Sequence, residues 1–271
     1  MHKKFFFLLL LINSILLASL DAQTKDTGIF KTIWSDVKIS VDEGICTYSS
    51  PLRYNSTDWI KAGATIFTTA ALMPLDKDLR KEFSKNHNDT KDKIADVGNA
   101  YGHLITPVVV GSGIYSYGLF FKNEYVRETG RMVFEAVLFS GIITNVTKVI
   151  AGRSRPYSER GPYFYNMFTF NEGSLSFPSG HSTVAFAMSS VLANRIKNVY
   201  ASIGLYTLSS VTALSRIYSD KHWASDVVLA SAIGYFVGDY ISSDKKNCNS
   251  KNKVSYSIYP AIGGLGLKII F

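Results

Sequence analysis

The chain has 271 residues, 46% of them apolar and 18% charged, and this apolar fraction excludes a disordered chain. With 20 Gly, 7 Pro and 2 Cys, collagen-like and disulfide-scaffold classes are excluded as well. The length favours one domain; the formal charge of +8 suits an anionic partner, but no basic stripe with interleaved aromatics points to nucleic acid.

At the N-terminus, His2, Lys3 and Lys4 precede an unbroken apolar run over 5–12, and small residues follow around Ala22. This predicts a secretory signal peptide over 1–22, with an uncleaved anchor helix as the alternative. Export would carry Cys46 and Cys248 into an oxidising compartment where they could pair, although two cysteines alone establish no bridge. Residues 23–100 form an N-terminal region that opens with an irregular, polar lead-in over 23–58, bearing Gly44, Pro51 and Asn55. An apolar stretch over 60–73 is followed by Pro74 and a charge-dense run to Asp96. There Leu75, Leu79 and Phe83 recur at i, i+4 and i+8, which predicts an amphipathic helix. It is expected to pack on the protein in preference to a membrane surface.

Apolar segments at 104–121, 132–150, 182–193, 199–214 and 227–240 are long for strands and suit buried helices. The expected fold is therefore an all-α bundle of about six helices, with its core over 101–240. Several segments fall short of the roughly 20 residues that span a bilayer upright. In the tail, 241–271, Val254, Tyr256 and Ile258 alternate with polar residues, and Leu265, Leu267, Ile269 and Phe271 alternate after Gly263-Gly264. Period two across a glycine turn predicts a β-hairpin packed on the bundle.

Three clusters near the ends of these segments carry chemistry: Lys148-x6-Arg155-Pro156, Pro178-Ser179-Gly180-His181, and Ser215-Arg216-x5-His222-x3-Asp226. Singly they read as helix caps and surface pairs. Together Lys148, Arg155 and Arg216 bring three cations to an oxyanion, with arginine forks matched to phosphate. Ser179 and Gly180 open a helix whose amides and dipole favour an anion, and Gly180 places no Cβ in the ligand's way. His222 and Asp226, spaced i and i+4, are expected on one helix face, the carboxylate holding the ring so that its other nitrogen is the nucleophile. His181 is placed to protonate the leaving oxygen and then activate water. No metal is expected, because the Lys and two Arg supply the charge stabilisation, and no HExxH or paired CxxC occurs.

The three blocks, complete and in order, resemble the type 2 phosphatidic acid phosphatase family, in a superfamily with class A bacterial acid phosphatases and vanadium haloperoxidases. The resemblance covers about 104–240. It implies a helical bundle with the site at one end, His222 as the nucleophile forming a phosphohistidine, Asp226 as its orienting partner and His181 as general acid. It further implies that Lys148, Arg155, Ser179, Gly180 and Arg216 bind the phosphoryl oxygens. Arg153, Tyr157, Asp220 and Trp223 lie beside the motifs without an assigned role.

The expected activity is metal- and cofactor-independent hydrolysis of a phosphomonoester or diphosphate. Apolar flanks favour a lipid substrate: phosphatidic acid, a prenyl diphosphate or a lipid A phosphate. A periplasmic non-specific acid phosphatase, a vanadate-dependent haloperoxidase and a non-catalytic envelope protein are the alternatives. Membrane association is expected and nucleic acid is not; oligomeric state is left open. Six spans after a cleaved signal would turn the Lys148 cluster to the cytoplasm. A retained first span, with 60–73 not crossing, turns it outward and leaves Lys122, Arg127, Arg131, Arg195, Lys197, Lys245 and Lys246 inside, following the positive-inside bias. A lumenal enzyme without spans is the third arrangement. A periplasmic site is favoured.

Overall fold

The computed structural model describes residues 27–85 and 87–243 and, as backbone alone, 255–261 and 264–270. The predicted signal peptide and Cys248 lie outside the described residues; Cys46 is disulfide-bonded. The chain divides into two compact units, 1–41 and 42–271. The site lies within the second.

The described residues form nine α-helices: α1 (Thr27–Ser49), α2 (Ser56–Leu72), α3 (Asp76–Ser84), α4 (Asp89–Tyr101), α5 (Ile105–Phe120), α6 (Glu124–Ala151), α7 (Gly180–Ile196), α8 (Val199–Tyr218) and α9 (Ala224–Ser242). The all-α class holds, but the expected count of about six is too low. One surplus helix is α1, in the stretch read as an irregular lead-in. There Phe30, Ile33, Trp34, Val37 and Val41 recur every three to four residues, a helical stripe that Gly44 does not break. The charged run is not one helix either: Asn88 begins α4 by accepting the Lys91 N–H at 2.9 Å. Asn55, Asn123 and Asn198 cap α2, α6 and α8 in the same way. Gly152 ends α6 in the left-handed region (φ 60), where a Cβ would stand 1.7 Å from the Asn166 carbonyl oxygen.

The main core joins Met132, Val133, Ala136 and Val137 of α6 to Val184, Met188 and Val191 of α7. Helix α9 lies close against α7 because Gly234 and Gly238 have no side chain: a Cβ would meet the Thr183 oxygen at 2.3 Å and the Ala187 oxygen at 2.6 Å. The amphipathic helix α3 packs on the protein, with Leu79 and Phe83 against Ala213, Ile217, Ala224 and Val227. Helices α6 and α9 are long and apolar enough to cross a membrane. The backbone of Ser255–Ala261 pairs antiparallel with Gly264–Ile270. The expected packing of this hairpin on the bundle depends on side chains outside the described residues.

Candidate active site

Four helix ends frame the site: the C-termini of α6 and α8 and the N-termini of α7 and α9. Backbone hydrogen bonds stitch the three motifs together. Arg153 O accepts from Ser176 N at 3.0 Å, Gly173 O from Arg155 N at 2.9 Å, and Asp226 O from Ser179 N at 3.2 Å. His222 N donates to Arg216 O at 3.2 Å, closing the turn between α8 and α9.

His222 is buried, and its Nδ1 lies 2.8 Å from the Ser176 carbonyl oxygen. A carbonyl only accepts, so Nδ1 carries the hydrogen and Nε2 keeps its lone pair. This corrects the expected pairing on one helix face. His222 precedes α9, Trp223 is the N-cap, and Asp226 Oδ2 accepts the Trp223 N–H at 2.9 Å. The same oxygen accepts from Ser176 Oγ at 2.5 Å, while Oδ1 accepts from Arg153 Nη1 at 2.6 Å. The nearest Asp226 oxygen stands 3.6 Å from His222 Nδ1, an ion-pair distance without a hydrogen bond. A four-residue spacing fits a helix face and a helix start equally well, and here a start was formed. Burial pushes the His222 imidazole down to about 3, against the raising pull of Asp226 and with Lys148 and Arg155 adding to the drop. The ring is therefore neutral at ordinary pH.

Among the described residues, the three expected cations converge without carboxylate partners. Lys148 Nζ donates to Leu175 O at 2.7 Å, Arg155 Nε to Glu172 O at 3.0 Å and Arg216 Nη1 to Asn99 Oδ1 at 2.5 Å. Among the described residues, Arg216 Nε is buried with no partner. The first backbone bond of α7 runs from Thr183 N to Ser179 O, which leaves the amides of Gly180, His181 and Ser182 without helical acceptors. A Cβ at Gly180 would meet nothing within 4 Å, so open space lies before that turn. His181 begins α7 beside His103, their rings edge to face at 5.9 Å. Burial pushes His181 down to about 4, helped by the charges of Arg216, His103, Arg155 and Lys148. An anion drawn by those cations would work the other way.

Sequence reasoning set aside one residue and missed several others. Arg153 is wholly buried and bonds both Asp226 and Asp76, the latter at 2.7 Å. Asp76 sits in the charge-dense run read as an amphipathic helix, and no local pattern distinguishes it. Ser176, Asn99 and His103 were not singled out. Among the residues beside the motifs, Trp223 is buried and donates to Ser154 O at 2.8 Å. Asp220 takes Arg80 of α3 in a fork at 2.6 and 2.7 Å, and the exposed Tyr157 ring lies under Lys221.

Residues 130–249 match the PAP2 superfamily. The chain is 41% identical over 66 residues to the lipid A 1-phosphatase of Porphyromonas gingivalis, covering 24% of this chain and 15% of that protein. It is 30% identical over 115 residues to the lipid A 1-phosphatase of Rhizobium etli, covering 41% of this chain and 47% of that protein. The chain thus spans less than half the length of these curated relatives. A solved structure with the same fold is the first transmembrane PAP2 type phosphatidylglycerolphosphate phosphatase from Bacillus subtilis, at TM-score 0.52 and 17% identity, covering 70% of this chain and 96% of that one. The PAP2 match contains all eight candidate residues, whereas Asp76, Asn99 and His103 precede it.

Proposed function

We propose that the chain, whose residues 130–249 match the PAP2 superfamily, is a metal-independent lipid phosphatase, with a lipid A phosphate as its favoured substrate. The observation that carries the reading is a neutral, buried imidazole beside three cations that lack carboxylate partners among the described residues. A phosphate supplies the missing negative charge. The similarity to lipid A 1-phosphatases supports lipid A over phosphatidic acid and prenyl diphosphates.

In the proposed reaction Lys148, Arg155, Arg216 and the amides opening α7 hold the phosphoryl oxygens, with Ser179 and Gly180 shaping that turn. His222 Nε2 attacks phosphorus as the bond to the leaving oxygen breaks, and His181 gives that oxygen its proton. The charge developing on His222 is stabilised by Asp226 at 3.6 Å. His181 then takes a proton from water, and the oxygen so activated attacks phosphorus and frees His222. The cations and the helix terminus supply the charge stabilisation, so none of these steps calls for a metal.

We place the protein in the bacterial envelope, exported by its N-terminal segment, with α5 crossing the membrane as well as α6 and α9. The C-terminus of α6 and the N-terminus of α9 both carry site residues, and with the chain outside before α5 this reading puts them at the periplasmic face, in line with the positive-inside bias. The test is phosphate release in EDTA by detergent-purified protein, from lipid A, phosphatidic acid, a prenyl diphosphate and p-nitrophenyl phosphate. Release from lipid A above the others is expected, with His222→Ala falling to background. Release from p-nitrophenyl phosphate alone would move the reading to a small-ester phosphatase. Folded protein that releases phosphate from none would overturn it.

A further inference from the structure

Arg153 and Asp76 are both fully buried, and their connection reaches the nucleophile. The Arg153 guanidinium lies between two carboxylates: Nη2 bonds Asp76 Oδ2 at 2.7 Å and Nη1 bonds Asp226 Oδ1 at 2.6 Å. Ser225 completes the cluster, donating from Oγ to Asp76 Oδ2 at 2.6 Å and from its amide to Asp76 Oδ1 at 3.0 Å. One cation shared by two carboxylates leaves a net negative charge in a wholly buried place. Such a charge is costly unless something repays it. Asp226, one of the two carboxylates, stands 3.6 Å from His222 Nδ1.

We propose that Asp76 is a positioning residue for the reaction: by sharing Arg153, it leaves Asp226 enough negative charge to hold the imidazolium that His222 becomes on phosphorylation. The assignment rests on the phosphatase reading above. Were Arg153 bound to Asp226 alone, that pair would be neutral and its field at His222 weak. With Asp76 present the cluster is complementary to the phosphorylated state, in which His222 is positive, more than to the resting state, in which it is neutral. Interactions stronger in the reacting state than in the ground state raise kcat in preference to lowering KM. Asp76 also precedes the matched region at 130–249, so the N-terminal region contributes to the reaction as well as to packing.

The test is charge arithmetic in the full-length protein. Asp76→Asn keeps the side chain's size and one of its two acceptor oxygens but makes the cluster neutral. It is expected to lower kcat by about tenfold or more, a barrier change of about 1.4 kcal/mol, with KM within about twofold. Adding Arg153→Gln to Asp76→Asn removes the unshared cation and restores the net negative charge. The double variant is expected to regain most of the lost kcat, and thermal melting of each variant checks the fold. Native-like kcat in Asp76→Asn, or a double variant slower than the single, would assign Asp76 a packing role and overturn the proposal. An Asp76→Asn protein that fails to fold would do the same. Native protein that releases no phosphate would instead overturn the phosphatase reading itself.

Discussion

In the proposed reaction His222 enters neutral and His181 enters protonated, and their pH dependence follows from that. Burial holds His222 down to about 3, so the proposed nucleophile is deprotonated across the usual range. His181, lowered to about 4 in the unliganded protein, loses its proton as pH rises, and a phosphate monoester loses its own second proton near pH ~6. Both proton sources for the leaving oxygen decline with rising pH. The kcat/KM for p-nitrophenyl phosphate should therefore fall through pH 7 to 9, and a rise over that range would deny His181 its role as acid. Asn99 holds the Arg216 fork by a 2.5 Å bond, so Asn99→Ala should raise KM by about tenfold, the worth of one hydrogen bond to a charged group. At this scale the three motifs stood out in the sequence because oxyanion chemistry asks for those residue types together. Asp76 and Asn99 were not, because an isolated Asp or Asn in a polar stretch has no pattern of its own.

Between helices, the turn from α4 to α5 brings His103 to His181 because Gly102 lacks a side chain. A Cβ there would lie 2.4 Å from Thr212 Cγ2 and 2.8 Å from the His181 carbonyl oxygen. Gly102→Ala should push this turn off the start of α7 and lower kcat/KM, measured beside a melting curve; unchanged kinetics would separate the turn from the site. Helix starts at Asn55, Asn123 and Asn198 and the stop at Gly152 follow from residue chemistry that can be read in one dimension. The start of α9 could not be read that way. Its cap is Trp223, and the carboxylate that completes the cap, Asp226, belongs to a motif that also fits a helix face. Helix α1 was readable from its stripe of Phe30, Ile33, Trp34, Val37 and Val41, but Gly44 and Pro51 drew attention to turns.

Across the whole molecule, α6 turns two opposite characters to its two sides. Leu138, Ile142, Val146 and Ile150, one turn apart, are exposed and apolar, while Arg131 and Glu135 are buried together as an ion pair at 2.5 Å. Charges inside and an apolar stripe outside suit a lipid solvent. The protein should stay in the membrane pellet after alkaline carbonate extraction; release into the supernatant would put another surface against that stripe. The chain alone determined the helical class, the order of the three motifs and the kinds of group they hold, because hydrophobic period and side-chain chemistry are local properties. The tertiary structure decided which groups touch. It gave His222 to the Ser176 carbonyl, tied Asp226 to the start of α9 and to Arg153, and brought Asp76 from a distant helix to share that cation. A buried charge takes its partner from whatever the packing places beside it, and that proximity has no counterpart in sequence distance.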